Sequence, residues 1–366
     1  MKVDGIGRRS LHIDPAGDAV WVIDQRRLPF DFDVRRLTLL AEVQRAIAEM
    51  WVRGAPLIGV AAAYGIALEC RRDASDAALH AAKASLDAAR PTAVNLAWAS
   101  ARMLGLLLAM PPAERAAAAW QEAGAMADED VRVNQAIGRH GLALLRTLSQ
   151  RNGGRPLQLL THCNAGWLAT VDWGTATAPI YAAHAEGLPV HVWVDETRPR
   201  NQGAALTAWE LGQQGVPHTL IADNAGGHLM QHGQVDAVIV GCDRVSARGD
   251  VGNKIGTYLK ALAAHDNGVP FYVAMPLSTL DLSIQDGMTE VRIEQRSERE
   301  VTHLWGRTRG GEVLEVELAP TGTRAANPAF DVTPARLVTG LISELGVVPA
   351  NATALAALAA QAREPT

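Results

Sequence analysis

Long apolar runs are missing from this 366-residue chain: no stretch of 18 apolar residues occurs, which excludes an ordinary membrane-spanning helix. Residues 1–10 mix charges with glycines and lack the apolar centre of a secretory leader, so a cytoplasmic location is expected. Cysteine is scarce. Cys70, Cys163 and Cys242 are odd in number and form no C-x-x-C pair, which disfavours a disulfide framework and a thiolate metal site alike. Each is then a small buried hydrophobe or a chemical group. An excess of positive charge is also lacking. The formal net charge is −5, so neither nucleic acid nor an anionic membrane is drawn by the overall field. A phosphate site would have to be assembled from local groups.

Nucleotide fingerprints are absent as well. No G-x-x-x-x-G-K-[ST] occurs, and Gly5-Ile6-Gly7 does not open a strand-to-helix dinucleotide motif. His228 and His232 stand at i, i+4, but the glutamate of H-E-x-x-H and a third ligand are wanting, and no metal is expected there. Cys163 follows His162 directly, yet adjacent strand residues point to opposite faces, which argues against a cysteine-hydrolase pair.

What is present is a globular composition, 48% hydrophobic and 20% charged, in a chain long enough for two domains. A short apolar strand at residues 20–23 and a basic turn open the chain, and helical spacing takes over from about Thr38. Alanine-rich stretches at 77–89, 112–129 and 133–148 carry few β-branched residues, so the first domain, residues 1–150, reads as mainly helical. Turn-prone residues 150–156 mark the boundary. Beyond it the texture changes. Near-continuous apolar runs at 157–160, 190–194, 218–222, 237–240 and 271–274 alternate with helical segments, the pattern of parallel strands covered on both faces. The fold expected is α/β: a mainly helical N-terminal domain followed by a Rossmann-like, doubly wound parallel-sheet domain over residues 151–366. The alanine-rich tail after Pro349 is either a docked helix or a frayed end.

In such sheets, ligands sit beyond the carboxyl ends of the strands. Two runs end in Cys163 and Asp243, 80 positions apart, and a third ends in Asp195-Glu196-Thr197-Arg198-Pro199-Arg200. Desolvation raises the proton affinity of a carboxylate, so Asp243, preceded by Val238-Ile239-Val240-Gly241-Cys242, is a candidate general acid. Spacing alone equally allows it to cap a turn or pair with Arg244, and allows Cys163 to be packing. For an anion, Arg53-Gly54-Ala55-Pro56 precedes a small-residue helix whose N-terminal amides are suited to phosphate. Arg90-Pro91-Thr92 and Asn253-Lys254 add charge and donors.

Read together, Arg53-Gly54-Ala55-Pro56-Leu57-Ile58-Gly59, Arg90-Pro91-Thr92-Ala93-Val94-Asn95-Leu96, Thr161-His162-Cys163-Asn164-Ala165-Gly166, Asp195-Glu196-Thr197-Arg198-Pro199, Gln202-Gly203-Ala204, Gly241-Cys242-Asp243-Arg244, Gly252-Asn253-Lys254-Ile255-Gly256-Thr257-Tyr258 and Asn327-Pro328-Ala329-Phe330-Asp331 resemble the methylthioribose-1-phosphate isomerases, within the superfamily of the initiation factor 2B alpha, beta and delta subunits. The resemblance implies conversion of 5-methylthioribose 1-phosphate to 5-methylthioribulose 1-phosphate in methionine salvage, without a cofactor, by a homodimer. It implies a proton donor at Asp243, transition-state support from Cys163, and substrate contacts from Arg53, Gly54, Ala55, Arg90, Gln202, Asn253 and Lys254. Three departures touch local packing: Trp167 stands where a smaller residue is common, Cys242 where alanine is frequent, and residues 321–326 differ in the lead into Asn327-Pro328. Sister sugar 1-phosphate isomerases, for ribose 1,5-bisphosphate or 5-deoxyribose 1-phosphate, and a non-catalytic regulatory subunit are the alternatives of the same superfamily.

Overall fold

The computed structural model describes residues 1–90 and 93–362; Pro91 and Thr92 of the arginine motif, and residues 363–366, lie outside the described residues. After a short antiparallel pairing of Lys2–Val3 with Ile6–Gly7 comes an antiparallel three-stranded sheet, β1 (Leu11–Ile13), β2 (Val20–Ile23) and β3 (Val34–Leu37), with Val20 opposite Leu37. Five helices follow: α1 (Leu40–Ala48), α2 (Ala55–Arg72), α3 (Asp76–Ala89), α4 (Val94–Leu107) and α5 (Pro112–Gln150). Local chemistry sets their starts. Glu42 folds back to accept the Thr38 and Leu39 amides at the head of α1, and Ser75 Oγ accepts the Ala78 amide at the head of α3. Helix α2 is apolar and small almost all round, from Leu57 and Ile58 through Leu68, so it runs through the middle of the helical core instead of lying on it.

The alternating half is built on a seven-stranded sheet. In chain order its first strands are β4 (Leu157–Thr161), β5 (Val190–Asp195), β6 (His218–Ile221) and β7 (Ala237–Val240). A side sheet leaves after β7 through β8 (Arg244–Ser246) and β9 (Val251–Lys254), and β10 (Phe271–Ala274) returns to the main one. Then come β11 (Leu280–Asp281), the hairpin β12 (His303–Arg307) and β13 (Val313–Glu317), β14 (Phe330–Thr333), β15 (Gly340–Ser343) and β16 (Gly346–Val348). The main order is β16-β15-β10-β7-β4-β5-β6, parallel throughout except for the terminal β15–β16 hairpin, and the side order is β11-β8-β9-β14. Every residue of β7 and β10 is buried, as strands covered on both faces require. Helices α6 (Ala178–Ala185), α7 (Ala208–Gln213), α8 (Ala225–Gln231) and α9 (Thr257–Asp266) supply that cover.

The expected α/β architecture is the one observed, with differences at its margins. The run at 218–222 forms β6, which sits at the sheet edge with Leu220 half exposed, because no strand follows it outward. β15 and β16 extend the other edge. The tail is a docked helix, Ala352–Gln361, capped by Asn351 and anchored through buried Leu355 and Leu358.

Helix α5 has 39 residues and reaches about 58 Å at 1.5 Å per residue. Its first half places Ala119, Ala123, Met126 and Val131 in the helical core, while Ile137, Leu142 and Leu145 of its second half join the core beneath the parallel sheet. The second half lies close against α6: a Cβ on Gly141 would stand 2.3 Å from Cγ of Pro179. Gly141→Ala should therefore lose about 1–3 kcal/mol to overpacking, despite the better helix propensity of alanine. In Gly105→Ala, on α4, the new methyl would meet nothing within 4 Å, and a gain of about 0.5–1 kcal/mol is expected. Urea midpoints of the two variants should move in opposite directions.

Candidate active site

Cys163 leaves β4 in a left-handed turn, φ 65°, which a side chain with a Cβ adopts only when its surroundings hold it. They do so here. Its N–H donates to Oγ1 of Thr197 at 2.8 Å, its C=O accepts from Oγ1 of Thr207 at 2.7 Å, and its thiol faces Oε1 of Gln202 at 3.4 Å. Asp243 follows β7, and its N–H donates to the carbonyl of Gly252 at 3.0 Å, tying it beside the strand that carries Asn253 and Lys254. Asn253 is buried and donates to Oγ1 of Thr257 at 3.0 Å, while the Lys254 ammonium lies 4.6 Å from the centre of the Phe330 ring.

The helical domain contributes the opposite wall. Arg53 is buried, its guanidinium gripping Oδ1 of Asn164 and, at 2.6 Å, the Asn164 carbonyl. Gly54 caps α2 at φ 93°, and a Cβ there would come within 2.5 Å of the Ala169 carbonyl, so glycine is needed both for the backbone angle and for the approach. Ala55 and Pro56 then begin the helix, leaving its positive end open. Arg90 projects from the end of α3 and meets Glu294 at 3.4 Å. A cavity of about 430 Å³ is lined by Gly54, Ala55, Arg90, Asp243, Gly252 and Phe330, among others.

Electrostatics binds these groups into one set. Burial raises the pKa of the Asp243 carboxyl, against the pull of Lys254, Arg90 and Arg53, and burial raises the Cys163 thiol against Arg53 and Lys254. Burial lowers Lys254, which Cys163 and Asp243 hold up. The thiol and the carboxyl thus face the same two cations and feel each other, although 80 positions separate them. Of the nine residues singled out from the sequence, Gly54, Ala55, Arg90 and Asp243 line this cavity and Arg53 and Gln202 a neighbouring one; Cys163 and Lys254 are linked to Asp243 by charge, and Asn253 is buried against Thr257. Arg244 reaches Asp281 at 3.6 Å. Trp167 is fully buried in contact range of Trp209, and Cys242 meets Thr279 at 3.4 Å, so two of the sequence departures are absorbed by packing.

Other features settle nearby alternatives. His162 turns away from Cys163, with Nδ1 3.0 Å from Asp195 and Nε2 2.8 Å from the Ile255 carbonyl, so no thiol–imidazole pair forms. His162, Asp195 and Asp223 place donor atoms within 4.8 Å of one another, and Oδ2 of Asp195 receives the Lys260 ammonium at 3.1 Å. His228 and His232 sit side by side on α8, ring centres 4.2 Å apart.

The chain can now be set beside known proteins. The model of the initiation factor 2 subunit family matches residues 51–350. A methylthioribose-1-phosphate isomerase from Rhodospirillum centenum is 62% identical over 98% of this chain and 96% of its own. The chain belongs to this family. Among solved structures, the 5-methylthioribose 1-phosphate isomerase from Pyrococcus horikoshii OT3 is similar with a TM-score of 0.84 and 40% identity, covering 97% of this chain and 96% of that one. The family also reaches translation: a structure named translation initiation factor eIF-2B, subunit delta, from A. fulgidus, has a TM-score of 0.77 and 39% identity over 94% of this chain and 96% of that one.

Several side chains that build the site were not singled out from sequence. Asn164 sat inside a motif, but only the fold shows that it holds Arg53. Thr197 and Thr207 act through single hydroxyls. Glu210 lies behind Asn164, wholly buried, accepting the Leu168 amide at 3.2 Å; its one sequence signal is a lone acid between Trp209 and Leu211. Burial pushes Glu210 up to about 7, against the Leu168 amide, Asn164, Tyr181 and Arg53. The folded chain thus binds this proton more tightly than the unfolded chain, so the contribution of this one group to stability is fully present below about pH 4.5 and declines by about 3 kcal/mol as pH rises through about 7. Asp130, also raised to about 7 by burial, adds a parallel slope. Glu210→Gln should flatten roughly half of the combined slope, read from urea midpoints between about pH 5 and pH 8.

Proposed function

We propose that this chain isomerises 5-methylthioribose 1-phosphate to 5-methylthioribulose 1-phosphate in methionine salvage, as a cytoplasmic homodimer whose domains, residues 1–150 and 151–366, supply opposite walls of the site. The observation that carries the reading is the shared crevice: a desolvated carboxyl and thiol facing the same cations, at the open end of a helix, in a chain 62% identical to a named isomerase of this reaction.

The chemistry follows from the substrate. Phosphate on the anomeric oxygen makes the sugar an acetal, which cannot open spontaneously as a free aldose does, so an acid is required. Asp243 donates its proton to the ring oxygen as the bond from C1 breaks. Hydrogen then moves from C2 to C1, and the C2 hydroxyl proton returns to the Asp243 carboxylate as the ketone forms. Cys163, held by Gln202 and Thr197, supports the charge that develops in between. The phosphate sits on the α2 N-terminus with Arg53, Arg90 and Lys254. Its charge offsets the three cations that pull the Asp243 proton away, so substrate binding itself strengthens the acid's hold on its proton.

A second cavity, about 840 Å³, shares Arg53 and Gln202 with the site and is walled by Leu28, Phe30, Met50 and Leu206. We assign the methylthio arm to it. Its arginines are already engaged, Arg26 with Asp24 at 2.8 Å, Arg27 with Asp31 at 3.1 Å, Arg200 with Glu300 at 2.7 Å, Arg299 with Glu315 and Arg53 with Asn164, which disfavours the second phosphate of ribose 1,5-bisphosphate. A regulatory role, suggested by the name of the A. fulgidus relative, has no use for a desolvated acid beside a phosphate cradle.

Purified protein assayed against 5-methylthioribose 1-phosphate, ribose 1,5-bisphosphate and 5-deoxyribose 1-phosphate should turn over the first fastest; no ketose from any of them would end the reading. Asp243→Asn and Cys163→Ser should each lose about 100-fold or more in turnover while keeping the native circular dichroism. In pH profiles, activity should fall on the alkaline side as Asp243 loses its proton. That limb should lie at higher pH for kcat than for kcat/KM, because the former reports the phosphate-occupied site. Deuterium from solvent at C1 of the product would mark a proton route; its exclusion would mark hydride transfer.

A further inference from the structure

His162 is almost fully buried at the end of β4, next to Cys163 but facing the other way. Both of its ring nitrogens meet oxygens: Nδ1 lies 3.0 Å from Oδ2 of Asp195, and Nε2 lies 2.8 Å from the carbonyl of Ile255. A carbonyl can only accept. Oδ2 of Asp195 already accepts from the Lys260 ammonium at 3.1 Å, so it too acts as an acceptor. A neutral imidazole carries one N–H and one lone pair, and would aim the lone pair at one of these oxygens. Only a ring with both protons satisfies both partners. Asp223 stands on the same side of the ring, Oδ1 4.0 Å from Nδ1.

The partners of this ring belong to the loops that carry the site. Ile255 follows Lys254 directly, and Gly256 next to it adopts φ 101° with so little room that a Cβ would stand 3.0 Å from the imidazole. Asp195 leads to Thr197, whose hydroxyl holds the Cys163 amide at 2.8 Å and whose own N–H donates to Asp223 at 2.7 Å. Asp331 accepts the Gly256 amide at 2.7 Å. The imidazole therefore pins the end of β4, which carries the thiol, to the end of β9, which carries the ammonium.

We propose that His162 is a positioning residue: a doubly protonated ring, donating to Asp195 and to the Ile255 carbonyl, that fixes Lys254 and Cys163 relative to each other. Its consequence for turnover rests on the isomerase reading; its protonation and its effect on the anion site do not. With the full chain labelled at its histidine nitrogens, long-range proton–nitrogen spectra at neutral pH should show both His162 nitrogens bearing hydrogen, the signals being assigned by their loss in His162→Gln. A His162 ring with one bare nitrogen overturns the proposal. In folded protein, His162→Phe should lower kcat about 100-fold, and His162→Gln, whose amide can still donate to one acceptor, should lose less. Both should weaken binding of inorganic phosphate. Should the phenylalanine variant fail to fold, the glutamine variant decides: native stability with wild-type kcat and phosphate affinity would refute the positioning role. If the wild-type protein shows no isomerase turnover, the proposed function fails by itself, while the spectra and the phosphate titration still judge His162.

Discussion

Placing a carboxyl, a thiol and three cations in one crevice strips each of solvation, and a protein interior tolerates that only when the groups compensate one another at fixed distances. Here the compensation is incomplete by construction. Asp243 gains proton affinity from burial and loses some to Lys254, Arg90 and Arg53, and the net direction is upward from the ordinary carboxylate value.

Such a balance survives only in a stiff frame, and much of the architecture reads as its support. The strained backbone of Cys163 is held by two threonine hydroxyls from neighbouring loops. Arg53 cannot swing out, because Asn164 takes its guanidinium through both side chain and carbonyl. Gly54 lets α2 approach the Ala169 backbone so closely that the helix end is fixed in depth as well as direction. The two walls come from different halves of the chain, joined by buried polar contacts such as Arg53 to Asn164 and Gln25 to the Leu168 carbonyl.

The alternation of apolar runs and helices was legible because strands covered on both faces leave an unmistakable texture, and the strand ends then pointed to Cys163 and Asp243 by topology alone. The open start of α2 was legible because Gly-Ala-Pro before a small-residue helix has a physical meaning by itself. Glu210, Asn164 and Thr207 were not, since their work depends on contacts between α7, the turn after β4 and the helical domain that no local pattern encodes. The side sheet and the β12–β13 hairpin escaped for a related reason: β8, β9 and β11 are two to four residues long and carry no periodicity to read.

Helix α5 ties the halves together in a way the chain order conceals. Its two ends are immersed in different apolar interiors, so severing the polypeptide after residue 150 would not separate two self-sufficient pieces. The upstream fragment would carry a naked stripe of Ile137, Leu142 and Leu145, and the downstream one a sheet missing part of its roof. The place where the sequence changes character and the place where the molecule could be divided are therefore different.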